Sequence, residues 1–401
     1  MRSMKLVFGA GLVACGSIAG ASGLEDRDRA AIEALERHLP GRPGPSGARP
    51  SPLLLTRMAE VGVPAVSVAY FENGRLKWSR AFGRTAAGSD RPATTETRFQ
   101  AASMSKAVSA AAALRLIDRG AIGLDEDVRR RLRAWRLPGD STGAVTLRRL
   151  LSHTAGLTVE GYPGYQPDQP VPTIVESLSG SAPSNTPAVR IATSPGSTFA
   201  YSGGGYSVVQ LLVDEVAEGG FSDVVGRELL RPLGMGHSTF DQRHAGSPRL
   251  DVADGHGGSG APVPGGGRVY PELAAAGLWT TPTDYARFLI ALQDSWAKRP
   301  NALLKPATAH DMMTPVLENY GLGVRIMERG GRRAITHAGA NEGFVSQFVA
   351  HLDGAREGVV IMTNGDNGGA LIGPILATLE RHYGWARQSP EARPSKALAS
   401  R

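Results

Sequence analysis

Cysteine is almost missing from this 401-residue chain: Cys15 is the only one, so no internal disulfide can form. Lysine is scarce too, at six of 44 basic residues, and aromatic residues make up 6%. A formal charge of +7 and a pI near 9.7 would suit a polyanion. The arginines are scattered among acids, however, and few aromatics accompany them, which argues against a nucleic-acid partner. No His-Glu-x-x-His or comparable spacing occurs, so no metal and no other cofactor is expected. The glycine run Gly203-Gly204-Gly205 has no phosphate-loop lysine, and no nucleotide site follows from it. There is no internal repeat, and the apolar run Leu6–Ala14 is too short to span a membrane comfortably. At 41% hydrophobic residues the chain still has ample material for a core.

The first thing present is a leader. Met1–Lys5 is basic, Leu6–Ala14 is apolar and small residues follow, so residues 1–23 read as a signal segment for export. Cys15, after Leu12-Val13-Ala14, resembles the site of a bacterial lipoprotein signal, where it would carry the lipid and attach the mature protein to a membrane. Plain secretion, with cleavage after Ala19-Gly20-Ala21, is the alternative. Residues 24–51 combine a helical stretch, Glu25–Leu39, with a Pro/Gly linker, and the compact fold is expected to begin near Ser51 and run over residues 52–386. Residues 387–401 read as a flexible tail.

Within that body Val66, Val68 and Tyr70 alternate with small or polar residues, Asn73-Gly74 is a hairpin turn, and Leu76–Ser79 begins the return strand. Strand signals come back at Tyr320–Met327, Arg333–His337, Phe344–Leu352 and Val359–Thr363, before a last helix from about Ala370 to Tyr383. From about 124 to 278 the chain offers helical stretches and Gly/Pro-rich loops instead. This pattern predicts an α+β fold, an antiparallel sheet built from both chain ends and flanked by helices, with an inserted all-helical subdomain and a site in the cleft between them. The dense basic stretch Arg129–Arg136 reads as a solvated helix face.

Ser103-Met104-Ser105-Lys106 sets a hydroxyl and an amine three residues apart, neighbours on one helix face. A serine hydroxyl becomes a nucleophile when a base takes its proton; a partly desolvated lysine can be that base and arginine cannot. Ser295-Trp296-Ala297-Lys298 has the same spacing. It lies at the C-terminal end of a helix capped by Thr281 with Pro282 first, where the dipole opposes an alkoxide. Ser103 instead opens the helix that continues through Ala107–Leu114 to Arg119, whose free N–H groups favour developing negative charge. Two further elements fit acyl transfer. Tyr201-Ser202-Gly203 follows a Pro/Gly turn and offers a phenol that could shuttle protons beside a lysine. His337-Ala338-Gly339-Ala340 ends a predicted strand, where glycine permits close approach and the following N–H could face a substrate carbonyl. His153 reads as structural.

Those three elements, in this order, resemble the serine β-lactamase and penicillin-binding-protein superfamily, especially its class C-like hydrolases and esterases. The resemblance spans residues 52–383 and is supported by Phe99–Ser103, Leu150–Leu157, Pro232–Met235, Gly277–Pro282 and Tyr320–Gly323. It implies a β-lactamase/transpeptidase-like fold in which Ser103 is acylated and Lys106 and Tyr201 share the general base and acid roles, in an order left open. It also implies an oxyanion hole from the N–H groups of Ser103 and Ala340, with His337, Gly339 and Gly203 lining the substrate pocket. Many relatives carry asparagine where this chain has Gly203, and some carry lysine where it has His337. Both departures favour a small carboxylic ester as substrate. A D-peptide, amide or β-lactam is the alternative, a non-catalytic cell-envelope binding protein is a third reading, and the oligomeric state is left open.

Overall fold

In the computed structural model the described residues are 24–37, 39, 53–139, 142–243, 251–300, 302–329 and 331–385. Residues 1–23, read above as a leader with Cys15, the stretch Pro40–Gly47 read as a linker, and residues 387–401 read as a tail lie outside them. Eight strands are present: β1 Ala65–Glu72, β2 Arg75–Gly83, β3 Phe99–Gln100, β4 Trp279–Thr280, β5 Arg325–Arg329, β6 Arg332–Asn341, β7 Phe344–His351 and β8 Gly358–Thr363. Six of them form one antiparallel sheet in the order β2-β1-β8-β7-β6-β5, and β3 pairs separately with β4. The hairpin joining β1 to β2 turns at Asn73 and Gly74, with φ of 53° and 74°, the left-handed pair that a tight hairpin turn demands.

Strand β1 is buried along its whole length because helices cover both faces. Val66, Val68 and Tyr70 pack with Ala31, Leu35, Leu371 and Ile375 of the terminal helices Asp26–Arg37 and Gly369–Tyr383. Ala65, Ala69 and Phe71 face the opposite layer, where the Ser105–Asp118 and Pro282–Trp296 helices lie. The small residues that alternate with Val66, Val68 and Tyr70 thus mark a second packed face rather than a solvent face. The N-terminal helix is part of this core, with Ala31 and Leu35 fully buried, so the compact body includes it and does not begin near Ser51.

Between Leu124 and Leu278 the described residues form helices, turns and isolated bridge pairs, with no named strand. The arginine-rich stretch is not a helix face. Val128–Arg130 is a single 3₁₀ turn capped by Asp127, Arg129 pairs with Asp127, and Arg131 pairs with Glu126. The Glu215 carboxylate then accepts from the N–H groups of Arg133 and Ala134. Charge density alone does not distinguish such a laced turn from a helix.

The predicted strand at Tyr320–Met327 is shorter, beginning at Arg325. Tyr320–Val324 is instead a turn closed by Gly321 N–H on the Val324 carbonyl. Gly323, at φ 83°, lets it approach the Lys106 helix, since a Cβ there would stand 2.6 Å from Ala110 Cβ. No helix among the described residues is long and apolar enough to cross a membrane.

Candidate active site

Ser103 lies in a 3₁₀ turn, Ala102–Met104, and the α-helix starts only at Ser105. The turn is bolted down around it. Ala101 N–H donates to the Leu278 carbonyl (2.8 Å), Leu278 N–H donates to Ser105 Oγ (3.0 Å), and the Tyr285 hydroxyl donates to the Met104 carbonyl (2.9 Å). Ala102, fully buried, has φ 50°, a left-handed conformation costing a non-glycine residue about 1–2 kcal/mol. Such local strain, held by its surroundings, is commonest at functional sites.

Lys106 is 2% exposed. Its Nζ donates to Ser103 Oγ (3.1 Å) and to the Ala275 carbonyl (2.8 Å) and lies over the Tyr201 and Tyr206 rings, 5.0 and 5.6 Å from their centroids. No carboxylate among the described residues is paired with it. Lys106 Nζ is therefore held by one hydroxyl, one carbonyl and two ring faces. Tyr201 meets Lys106 through its ring face, whereas no hydrogen bond joins its hydroxyl to Lys106 or Ser103.

Tyr201 is fixed from the next residue. Ser202 caps the Gly203–Val216 helix through Gly205 N–H, its hydroxyl donates to the Thr158 carbonyl, and its N–H donates to His153 Nδ1 (3.0 Å). The glycine run is a packing device. Gly203 and Gly204 donate to the carbonyls of Glu160 and Val159, and a Cβ on Gly203 would stand 3.0 Å from the Glu160 oxygen and 3.1 Å from the Tyr162 ring. The space a side chain at position 203 would need is taken.

Strand β6 brings the third element. Its pairing with β5 ends at Thr336, so His337–Asn341 are flanked by β7 on one side and continue beyond β5 on the other. There the strand presses on the Ser103 turn: a Cβ on Gly339 would overlap the Ala101 carbonyl oxygen, and Ser346 Oγ donates to that same oxygen (3.0 Å). Asn341 ties the far end by donating to Gln100 Oε1 (2.7 Å). Gly339→Ala is expected to push β6 off the turn and lower kcat/KM about 10- to 100-fold, the effect of an ångström-scale misplacement. Steady-state kinetics on a protein whose circular dichroism is unchanged checks this, and full activity would refute it.

His337 is 6% exposed, with Nδ1 against the Ala338 carbonyl (2.6 Å) and Nε2 against the Tyr320 hydroxyl (2.9 Å). Burial, reinforced by the Lys106 charge, pushes its pKa down to about 3. The same two causes hold His153 well below its ordinary value. Ser103, Lys106, Tyr201, His337 and Gly339 are thus gathered in one place, with Ala340 one residue further along the strand edge and Gly203 behind Tyr162. Gln100, Tyr206, Tyr320 and Asn341 also belong to this assembly and were not singled out from sequence. Gln100 and Tyr320 lie in quoted motifs, Phe99–Ser103 and Tyr320–Gly323, and His153, read as structural, lies within the site. Among the described residues no group of three His, Cys, Asp or Glu could hold a metal ion.

An antiparallel sheet with helices on both faces, and a strand edge laid beside a serine-lysine turn, define the β-lactamase and penicillin-binding-protein type of architecture. The chain belongs to the Beta-lactamase family, whose profile matches residues 52–377. It is 23% identical over 239 residues to Protein flp of Staphylococcus aureus, a match covering 59% of this chain and 45% of that protein. It is 26% identical over 192 residues to Penicillin-binding protein 4* of Bacillus subtilis, covering 45% and 39%. These matches span less than half the length of either relative. Among solved structures, an octameric penicillin-binding protein homologue from Pyrococcus abyssi superposes with a TM-score of 0.69 at 23% identity, covering 82% of this chain and 76% of that one. The D-amino acid amidase of Ochrobactrum anthropi SV3 complexed with D-phenylalanine gives 0.67 at 18% identity, covering 89% and 99%. Both share the fold.

Proposed function

We propose that this protein is a serine hydrolase working through an acyl-enzyme on Ser103, with small carboxylic esters as its substrate class. One observation carries the reading: Lys106 Nζ, buried and without a carboxylate partner among the described residues, meets Ser103 Oγ at 3.1 Å. In the proposed reaction Ser103 Oγ bonds to the acyl carbon and its proton passes to the Lys106–Tyr201 pair, one coupled unit that enters the step one proton short, as the Lys106 amine or the Tyr201 phenolate. The carbonyl oxygen takes up negative charge facing the N–H groups of Ser103 and Ala340. Collapse breaks the ester C–O bond, and the departing alcohol takes the proton back. Water then adds to the acyl-serine, releasing the carboxylic acid and restoring Ser103.

Ester rather than amide substrates are supported by what the site withholds. Tyr162 and the Glu160 carbonyl crowd Gly203, so no side-chain amide grips a peptide-like group from there. Both His337 nitrogens are engaged within the protein, leaving no permanent cation at that position for a substrate carboxylate. A site lacking such polar contacts loses the discrimination they provide. D-amino-acid amide hydrolysis is the second reading, favoured by the fold likeness to D-amino acid amidase.

Two measurements test the proposal. A fluorophosphonate probe is expected to add its mass at Ser103 of the folded protein, and failure to do so would favour a non-catalytic binding role. Comparison of kcat/KM on p-nitrophenyl butyrate, a chromogenic cephalosporin and a D-alanyl anilide is expected to rank the ester first. Faster turnover of either amide-type substrate overturns the ester assignment.

A further inference from the structure

Four hydrogen bonds run in series beneath the site. They join Ser202 N–H to His153 Nδ1 (3.0 Å), His153 Nε2 to the Tyr320 hydroxyl (3.2 Å), that hydroxyl to His337 Nε2 (2.9 Å), and His337 Nδ1 to the Ala338 carbonyl (2.6 Å). Their directions follow from the two ends. A carbonyl oxygen only accepts, so His337 Nδ1 carries the proton and the neutral ring's Nε2 accepts from the Tyr320 O–H. The phenol's single proton is then committed, so its oxygen accepts from His153 Nε2–H. A backbone N–H only donates, and His153 Nδ1, left without a proton, accepts it from Ser202. The two ends demand opposite tautomers of the two histidines, and the one phenol between them accommodates both.

We propose that His153, Tyr320 and His337 are positioning residues, a one-way hydrogen-bond relay that locks the backbone carrying Tyr201 to the backbone carrying Gly339 and Ala340. The two ends belong to segments more than a hundred residues apart in sequence, and each bears one of the groups set around Ser103. His153 also packs against the Tyr201 ring, 4.1 Å between centroids, so the relay holds that ring over Lys106 Nζ directly.

The surroundings keep the relay uncharged. Lys106 faces it from the Ser105–Asp118 helix and Arg325 from β5, the latter 5.5 Å over the Tyr320 ring. Tyr201 and Tyr206 close in on His153 from the other side. Burial disfavours the charged form of all three members, pulling both imidazoles down and pushing the Tyr320 phenol up. A proton added to His153 would set Nδ1–H against the Ser202 N–H, and one added to His337 would take from the Tyr320 O–H its acceptor. His337 is accordingly no acid or base in this site, and its polar atoms serve the protein rather than the substrate.

The catalytic consequence rests on Ser103 being the nucleophile, whereas the hydrogen-bond directions do not. Nitrogen-15 histidine spectra of the full protein read the tautomers directly, with His153 assigned through the Phe199 ring, 5.9 Å away between centroids, and His337 through Ala338. His153 is expected on Nε2–H and His337 on Nδ1–H, both neutral from pH 8 to pH 5. Either ring charged at pH 6, or the opposite tautomer, overturns the relay. In the second arm, Tyr320→Phe cuts it in the middle. The kcat on p-nitrophenyl butyrate is expected to fall about 10- to 100-fold with KM little changed. The fluorophosphonate titre should stay full, and the His337 Nε2 resonance should shift as that nitrogen loses its donor. Unchanged kinetics, a loss that falls on KM, or a loss matched by fewer fluorophosphonate-titratable sites shows a merely structural role and overturns the proposal. If the variant does not fold, the spectra of the unsubstituted protein decide. Expected tautomers without probe mass at Ser103 would support the relay while removing the hydrolase reading.

Discussion

Ser103→Ala is expected to lower kcat on a p-nitrophenyl ester by about 10⁴- to 10⁶-fold, the scale seen when a serine nucleophile is removed from a preorganised hydrolytic site. The fold should be untouched. Ser103 is half-buried and its hydrogen-bond partner, Lys106 Nζ, keeps the Ala275 carbonyl as an acceptor. Ser295→Ala is the internal contrast, because it removes the serine of the other equally spaced pair. Ser295 Oγ donates to the Ala291 carbonyl (2.7 Å) and accepts from Leu304 N–H (3.1 Å), holding the end of one helix to the chain that follows. Its loss leaves a buried donor unpaired, so the urea midpoint should report a cost of about 1–3 kcal/mol with kcat unchanged. Activity surviving Ser103→Ala, or vanishing in a folded Ser295→Ala protein, would refute the site assignment.

Lys106→Met is the second large effect. Methionine keeps the length and apolar contacts of the stem over the Tyr206 ring but can neither accept nor return a proton. The expected loss in kcat/KM is about 10²- to 10⁴-fold, the usual contribution of general acid-base catalysis. Fluorophosphonate labelling of Ser103 should slow in parallel, since it needs the same activated hydroxyl. Lys106→Arg should fail as badly, because guanidinium retains its charge and cannot act as a base. Rescue by arginine would mean that the charge matters and proton transfer does not. A Met variant labelled at the original rate would remove Lys106 from the mechanism.

The parts of this molecule legible from sequence are those whose determinants are local. Asn73-Gly74 specifies its hairpin because two adjacent residues supply the required backbone angles. Thr281-Pro282 specifies a helix start because cap and first turn are contiguous. Ser103 and Lys106 meet because their spacing is about one helical turn. Other parts depend on partners far along the chain. Tyr320 sits in an apparently strand-like run, and only the packed structure shows its hydroxyl meeting His153, 167 residues away. Ala102 carries no hint of its left-handed backbone, which a glycine would have advertised. Gly339 announces a close approach, but the object approached, the Ala101 carbonyl, lies on the opposite side of the inserted helical region. The arginine run was misread because ion pairs to Asp127 and Glu126 satisfy charge in a turn as well as a helix does.

The placement of β1 between β2 and β8 carries a consequence for how the chain is born. Val66 pairs with Thr363, so the hairpin made first during synthesis has an open edge until the last strand arrives. The Ser103 turn waits as well, for Leu278 and then for Gly339 and Ser346. A ribosome-bound chain shorter than β8 therefore holds a serine and a lysine but no assembled site, and its folding is governed by contacts of long sequence separation, the slow kind. Activity should arrive in one late step, when the carboxyl-terminal strands lock onto the amino-terminal hairpin.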